Sequence, residues 1–79
     1  MSAVRSYRGQ KAGLTRAEKA GPAAVIAECR RFVAEYDETG APWPDDWHRW
    51  NIALGDASYA IARETGSWDG LPQHLDDIR

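Results

Sequence analysis

The sequence predicts an all-α protein built around an antiparallel pair of helices, a helical hairpin. Two stretches, residues 22–39 and 44–65, repeat apolar side chains at the three- and four-residue spacing that places them on one face of a helix. A glycine follows each stretch, and a short proline-containing connector separates them. No stretch alternates apolar and polar residues as a half-buried strand does. We therefore expect an all-α fold with short helical segments flanking the hairpin and a basic arm at the N-terminus.

The first main helix is expected over residues 22–39. Pro22 suits the first helical turn, because its fixed φ is helical and its missing N–H would have no helical partner there. Gly40 is the residue type that most often ends a helix in a left-handed conformation. At about 100° per residue, one stripe carries the large apolar side chains: Val25, Ile26, Cys29, Phe32, Val33 and Tyr36. This stripe is the predicted inner face of the helix.

The second main helix is expected over residues 44–65, and its start is rich in tryptophan. Asp45 and Asp46 place negative charge at its N-terminus, where the helix dipole is positive, and Gly66 suits its end. Its apolar stripe advances in steps of four and three residues: Trp43, Trp47, Trp50, Leu54, Ala57 and Ile61. The short connector favours antiparallel neighbours, so the two stripes should face each other. Clustered rings can also stack on nucleic-acid bases, but the two aspartates would repel phosphate, which favours a core role.

The segments on either side of the hairpin carry weaker signals. Residues 1–14 contain two glycines and no helical or strand period, which indicates a flexible basic arm, and residues 15–79 should form one small helical domain. Thr15 and Glu18 match a capping box, so a short helix is expected to begin after Thr15. The C-terminal tail spaces its aliphatic residues four and three apart, which predicts one or two helical turns folded over the hairpin: Leu71, Leu75 and Ile78.

Length and composition indicate one small cytoplasmic domain that does not act at a membrane. The 79 residues are 43% hydrophobic and 28% charged, in the size range where a single core is only marginally sufficient. No apolar run reaches the roughly 18 residues that span a bilayer, and the N-terminus lacks the apolar segment of a secretory signal. The single cysteine, Cys29, cannot form an internal disulfide, which agrees with a cytoplasmic protein.

Charge is distributed unevenly along the chain. Residues 1–20 hold five basic side chains against one acidic one, whereas residues 21–79 hold five basic and eleven acidic ones. A basic segment can bind nucleic acid by neutralising phosphates, so a nucleic-acid-associated protein is one alternative function. The residues that would make those contacts are Arg5, Arg8, Lys11, Arg16 and Lys19. Five charges are few for that purpose and no nucleic-acid-binding motif accompanies them, so a latch onto an acidic protein surface is equally well supported.

The outer side of the second helix is a candidate partner-binding face. Roughly opposite the tryptophan stripe, where an exposed helix would be polar, lie His48, Ile52, Gly55, Tyr59 and Ala62. The glycine and the alanine are small enough to let another helix approach closely. The chain's own first helix or tail, a second copy of the chain, and a different protein are the alternatives for what covers this face.

A cluster of carboxylates, here termed the acidic tip, is a second candidate for partner binding. Its members lie in the last turns of the first helix and at the start of the second: Glu35, Asp37, Glu38, Asp45 and Asp46. Asp37 and Glu38 oppose the dipole at a helix C-terminus, at a cost of about 0.3–1 kcal/mol. Because a broken local rule often marks a functional residue, we expect the tip to meet a basic surface, either on a partner or on the protein's own arm swapped across a dimer. A solvated charge cluster is the simpler alternative.

Residues suited to catalysis are sparse, so we expect a non-enzymatic protein with no metal and no cofactor. His48 and His74 are the only histidines, and Cys29 lies on the inner stripe of the first helix. Asp45 and His48 are one helical turn apart, but no third ligand is spaced to complete a metal site. The sequence contains no glycine-rich phosphate loop or nucleophile elbow, and a chain of this size has little room for a substrate cleft.

The sequence therefore favours a small protein–protein interaction module that presents a helical face and the acidic tip, or that forms a homodimer with a four-helix core. Arginine outnumbers lysine eight to two, which is typical of GC-rich genomes such as those of actinobacteria and their phages. In that setting we expect a phage or mobile-element accessory protein, or an inhibitor that binds a host protein. A virion or assembly component is a further alternative, beside nucleic-acid binding.

Overall fold

The computed structural model describes residues 7–40, 43 and 45–78, and it is helical with no strand among them. Its four helices are α1 (Tyr7–Ala20), α2 (Pro22–Thr39), α3 (Trp47–Thr65) and α4 (Leu75–Ile78). None of these helices is both long enough and apolar enough to cross a membrane. The all-α class expected from the sequence is confirmed.

The second helix, α2, has the bounds that the sequence predicts. It begins at Pro22 and ends at Thr39, and Gly40 follows in the left-handed conformation with φ of 68°. The Gly40 N–H donates to the Tyr36 carbonyl at 2.9 Å, which satisfies one of the carbonyls that a helix end leaves without a partner. The predicted inner stripe points into the protein: Val25, Ile26, Cys29, Phe32 and Val33 are buried and Tyr36 is half-buried.

The N-terminal segment differs from the prediction of a flexible arm over residues 1–14. Residues 7–14 form the first turns of α1, so Thr15 lies inside this helix and does not cap its start. Its hydroxyl donates to the Lys11 carbonyl, one turn earlier, at 3.1 Å. The buried side of α1 is made largely of small or polar residues, which give no strong apolar period: Gln10, Gly13, Leu14 and Ala17. Residues 1–6 of the predicted arm lie outside the described residues.

Gly21 alone separates α1 from α2. Its φ of 130° is a conformation that residues with a side chain rarely adopt. Its N–H donates to the Ala17 carbonyl at 3.0 Å, and its own carbonyl accepts the Val25 N–H at 3.2 Å. The backbone groups at the break therefore keep hydrogen-bond partners while the chain changes direction and α1 packs against α2.

The contact between α2 and α3 is centred on aromatic rings. Phe32 and Trp50 stack with their ring centroids 4.1 Å apart. Near the start of α2, Val25 lines a groove together with Ala57 of α3. Phe32 also lies beside Trp43, which precedes α3, at 6.3 Å between ring centroids. Ring stacking and the residues of this groove thus join α2 to α3.

The third helix, α3, begins later than the predicted residue 44. Asp45 and Asp46 lie in a turn, and Trp47 is the first helical residue. The Asp46 carbonyl accepts the Arg49 N–H at 2.9 Å, but its side chain makes no capping hydrogen bond. That carboxylate instead lies 3.6 Å from the Lys11 ammonium of α1, an interaction that competes with capping. The predicted end is confirmed, since α3 stops at residue 65 and a left-handed glycine follows.

The predicted tryptophan stripe of α3 contributes to the core. Trp50, Leu54 and Ala57 are buried, and Trp43, Trp47 and Ile61 are half-buried. The core also includes Leu14 and Ala17 of α1, the inner stripe of α2, and Leu75 of α4. Base stacking would therefore have to use rings that already pack within the protein.

The C-terminal tail packs against α2 and α3 through one helical turn, α4. The three predicted aliphatic residues contact the core: Leu75 is fully buried, and Leu71 and Ile78 are half-buried. The Asp77 carboxylate accepts the backbone N–H groups of Gln73 and His74, each at 3.0 Å. These bonds satisfy donors at the start of the turn, where α4 has no preceding carbonyls.

Candidate functional site

The outer surface of α3 and the loop after it carry the exposed large apolar side chains of the described chain. These are Ile52, Tyr59 and Trp68, with 64%, 54% and 43% of their surface exposed; together they are termed the outer face. Ile52 and Tyr59 belong to the predicted partner-binding face, and His48 of that prediction is also exposed. Large apolar side chains exposed on one side of a protein often mark an interaction surface.

The end of α3 positions Trp68 beside Tyr59. Gly66 adopts φ of 78°, and its N–H donates to the Ala62 carbonyl at 2.7 Å, which turns the chain out of the helix. In the loop that follows, the Ser67 hydroxyl accepts a hydrogen bond from the Asp69 N–H at 3.1 Å. As a result the Trp68 and Tyr59 rings lie with centroids 6.2 Å apart. Trp68 was not among the residues predicted for this face, because its direction depends on the turn at Gly66.

Arg63 borders the aromatic part of the outer face. Its guanidinium carbon lies 6.0 Å from the centre of the Tyr59 ring, at the limit of a cation–π contact. Asp56 is exposed one turn before Tyr59 on the same side of the helix. The face therefore combines large apolar groups with one positive and one negative side chain.

The two small residues of the predicted face are covered by the chain itself. Ala62 is buried, and a Cβ built on Gly55 would lie 3.7 Å from the Gln73 carbonyl oxygen. The expectation that they admit a helix from a partner is therefore corrected: Ala62 is enclosed by its own chain, and Gly55 lies against the C-terminal tail. The part of the predicted face that stays accessible is His48, Ile52 and Tyr59.

Two polar residues of α3 hold the tail in this position. The Ser58 hydroxyl, fully buried, donates to the Pro72 carbonyl. Asn51 accepts the Leu75 N–H at 2.8 Å, and its amide nitrogen lies 3.0 Å from Nε2 of His74. Asn51 and Ser58 were not among the residues predicted from the sequence. Their seven-residue spacing, on the same side of the helix as Gly55 and Ala62, is the signal that could have indicated them.

The acidic tip interacts with its own chain. Glu35 accepts a hydrogen bond from the Gln10 amide at 2.8 Å, and Asp46 pairs with Lys11. Asp37 and Glu38 also take part in interactions within the protein. Of the predicted tip, Asp45 is an exposed turn residue. The contacts of Glu35 and Asp46 with α1 lie within one chain, so the expectation that the tip meets a basic surface on a partner, or on an arm swapped across a dimer, stays a prediction.

The basic residues predicted for nucleic-acid contact lie on α1 where the structure describes them. Lys11 pairs with Asp46, whereas Arg16 and Lys19 are exposed on the helix. Arg5 and the Arg8 side chain lie outside the described residues. A further contact links α1 to α3, since Glu18 pairs with Arg49 at 2.6 Å. The helix that carries the basic charge is therefore tied to the acidic body of the protein.

Two grooves flank α1, and neither is rich in reactive groups. One, of about 490 Å³, is lined mainly by alanines of α1 and α2 between Arg16 and Arg31. The other, of about 220 Å³, lies where α1, α2 and α3 meet and includes Glu18 and Asp56. Across the described part of the chain, no three histidine, cysteine, aspartate or glutamate residues are grouped to hold a metal ion.

The thiol of Cys29 is enclosed in the core, where it donates to the Trp50 carbonyl at 3.9 Å. Burial, with a smaller contribution from the carboxylates of Glu28 and Glu18, raises the pKa of Cys29 to about 12. Because the thiolate is the reactive form, the folded protein keeps this residue unreactive.

We expect this thiol to make the fold sensitive to alkali. The unfolded chain releases the Cys29 proton near pH 9, well before the folded chain does, so the free energy of unfolding should fall as pH rises above that value. Urea denaturation at pH 8 and pH 10 should show that this loss is about 1–2 kcal/mol smaller in Cys29→Ala than in the native chain. Equal losses in the two proteins would show that Cys29 is not the group responsible.

The structure defines a small all-helical protein with an exposed aromatic and aliphatic face on its third helix. Comparison of the chain with protein-family models, with curated proteins and with solved structures finds no match.

Proposed function

We propose that this chain is a small, non-enzymatic protein–protein interaction module that binds its partner through the outer face. The observation that carries the proposal is the exposure of Ile52, Tyr59 and Trp68 on one side of the protein. Exposed tyrosine and tryptophan side chains supply large contact area with few rotatable bonds, and they dominate the energetics of many interfaces. The single buried thiol suits a reducing, cytoplasmic setting.

The scaffold in this proposal is the antiparallel hairpin of α2 and α3. Stacking of Phe32 on Trp50 joins the inner sides of the two helices, so the opposite side of α3 is left for a partner. The tail covers one edge of α3 through Ser58 and Pro72, which limits the accessible surface to a stripe beside the tail. An accessible helical stripe of this kind suits a partner whose side chains pack against it in a complementary arrangement.

The outer face supports this role better than the acidic tip does. Glu35 and Asp46 already contact Gln10 and Lys11 of α1, so a basic partner would have to displace those contacts. Ile52 and Tyr59 have most of their surface open to solvent and would gain hydrophobic free energy on being covered.

A photo-crosslinking amino acid at position 59 tests the proposal in cells that express the native chain. We expect adducts of discrete mass from position 59 and none of the same mass from position 30, an exposed site on α2. Adding Ile52→Arg to the position-59 variant should abolish these adducts, because it places a charge within the apolar contact. Identical adducts from positions 59 and 30, or adducts that survive Ile52→Arg, would contradict binding through the outer face.

A further inference from the structure

We propose that the outer face binds a second copy of this chain, with the two α3 helices packed antiparallel about a two-fold axis; this inference rests on the proposed function. A two-fold dimer requires a surface that is complementary to itself. The outer face meets that requirement because Tyr59 lies between a negative and a positive side chain, Asp56 and Arg63, which a second copy turned by 180° can pair with in the opposite order.

The four helical residues that would form the contact share one narrow side of α3. At about 100° per residue, Ile52, Asp56, Tyr59 and Arg63 fall within a sector of roughly 60°. All four are exposed in the structure. Asp56 and Arg63 are about 10.5 Å apart along the helix axis, which is too far for the two side chains to pair with each other. Asp56 has no ion-pair partner within the described part of the chain.

These charges select one register and one direction for the second copy. If the two-fold axis passes between Tyr59 and Ala60, Asp56 of each copy lies level with Arg63 of the other, so the contact contains two opposite-charge pairs. A parallel arrangement in register would place Asp56 opposite Asp56 and Arg63 opposite Arg63, which like-charge repulsion disfavours. Moving the axis to Asp56 would bring the two aspartates together in the same unfavourable way.

The same register places apolar groups against each other. Tyr59 of each copy lies next to the axis, and Trp68 packs beside its own Tyr59 at 6.2 Å, so four rings gather at the centre of the contact. Ile52 lies about 11 Å from the axis, level with residue 67 of the other copy and so beside its Trp68 loop. Two-fold pairing thus covers the exposed large apolar side chains of both copies together.

Exchange of the two charges tests this arrangement with purified full-length protein. Sedimentation equilibrium should show a dimer for the native chain, and a dimer dissociation constant raised about tenfold or more in Asp56→Arg and in Arg63→Asp. The double variant Asp56→Arg/Arg63→Asp should recover the native dissociation constant to within about threefold, since it restores opposite charges across the axis. Thermal melts of all four proteins under monomeric conditions should coincide, because both side chains are exposed.

A native chain that stays monomeric to about 1 mM overturns the inference, as does a double variant that dissociates as readily as the single ones. Either result is distinguishable from failure of the proposed function. A monomeric chain whose position-59 crosslinker captures a different protein, with loss of the adduct on Ile52→Arg, removes the second copy as partner and keeps the outer face as the binding surface.

Discussion

Replacing Trp50 by alanine should lower the free energy of unfolding by about 3–5 kcal/mol, the range for deleting a large buried aromatic side chain. Trp50 is buried with 1% of its surface exposed, and its ring stacks on Phe32 at 4.1 Å. A chain of this length has a total stability of roughly 4–12 kcal/mol, so the variant should be partly unfolded near room temperature. Urea denaturation followed by circular dichroism would measure the change.

Trp68→Ala is the matched control for this substitution. It deletes the same side chain from an exposed position, and the free energy of unfolding should change by no more than about 0.5 kcal/mol. If Trp68→Ala lowered the free energy of unfolding as much as Trp50→Ala does, the assignment of Trp50 to the core and Trp68 to the outer face would be contradicted.

Leu75→Ala should have the second largest effect and lower the free energy of unfolding by about 2–5 kcal/mol. The size of the decrease depends on how completely the tail detaches. Leu75 is fully buried, and its N–H donates to Asn51 at 2.8 Å, so its truncation removes the main apolar anchor of α4. Hydrogen exchange of the amides of residues 71–78 should accelerate more than that of α2, because the tail can open without unfolding the helices beneath it.

Gln73→Ala controls for the Leu75 substitution within the same tail. The Gln73 side chain is exposed, so its removal should leave both the free energy of unfolding and the exchange rates close to those of the native chain. Faster exchange throughout α2 and α3 in Leu75→Ala would instead show that the tail and the two long helices open together.

Local signals determine the parts of the fold that the sequence predicts well. Pro22 at the start of α2 and Gly40 after its end act through their own backbone preferences, and a stripe of large apolar residues between them gives the helical period. The bounds of α2 were therefore predictable without knowledge of its neighbours. The end of α3 at Gly66 was predictable for the same reason.

The first helix was not predictable by these signals, because its buried side depends on close packing. Gly13 and Ala17 are buried against α2, yet neither contributes much to an apolar period. Gln10 is buried through a hydrogen bond to Glu35, a partner 25 residues away in the chain. Tertiary contact therefore stabilises a helix that intrinsic propensity alone would not indicate.

The candidate site was predictable in part. Ile52 and Tyr59 stand out because apolar residues lie where an exposed helix should be polar. Trp68 joins them only through the turn at Gly66, and Gly55 is covered only by the returning tail. Both of these outcomes depend on the direction the chain takes after α3 ends, which the apolar pattern within the helix does not indicate.

The order in which the helices contact one another has a consequence for folding kinetics. Each of the three long helices packs chiefly against its neighbour in the chain, α1 on α2 and α2 on α3, whereas α4 returns across a long separation to reach α2. Low contact order of this kind is associated with folding in microseconds to milliseconds. The surface that receives Leu75 exists only after α2 and α3 have paired, so the last few residues of the chain should be the final part to become ordered.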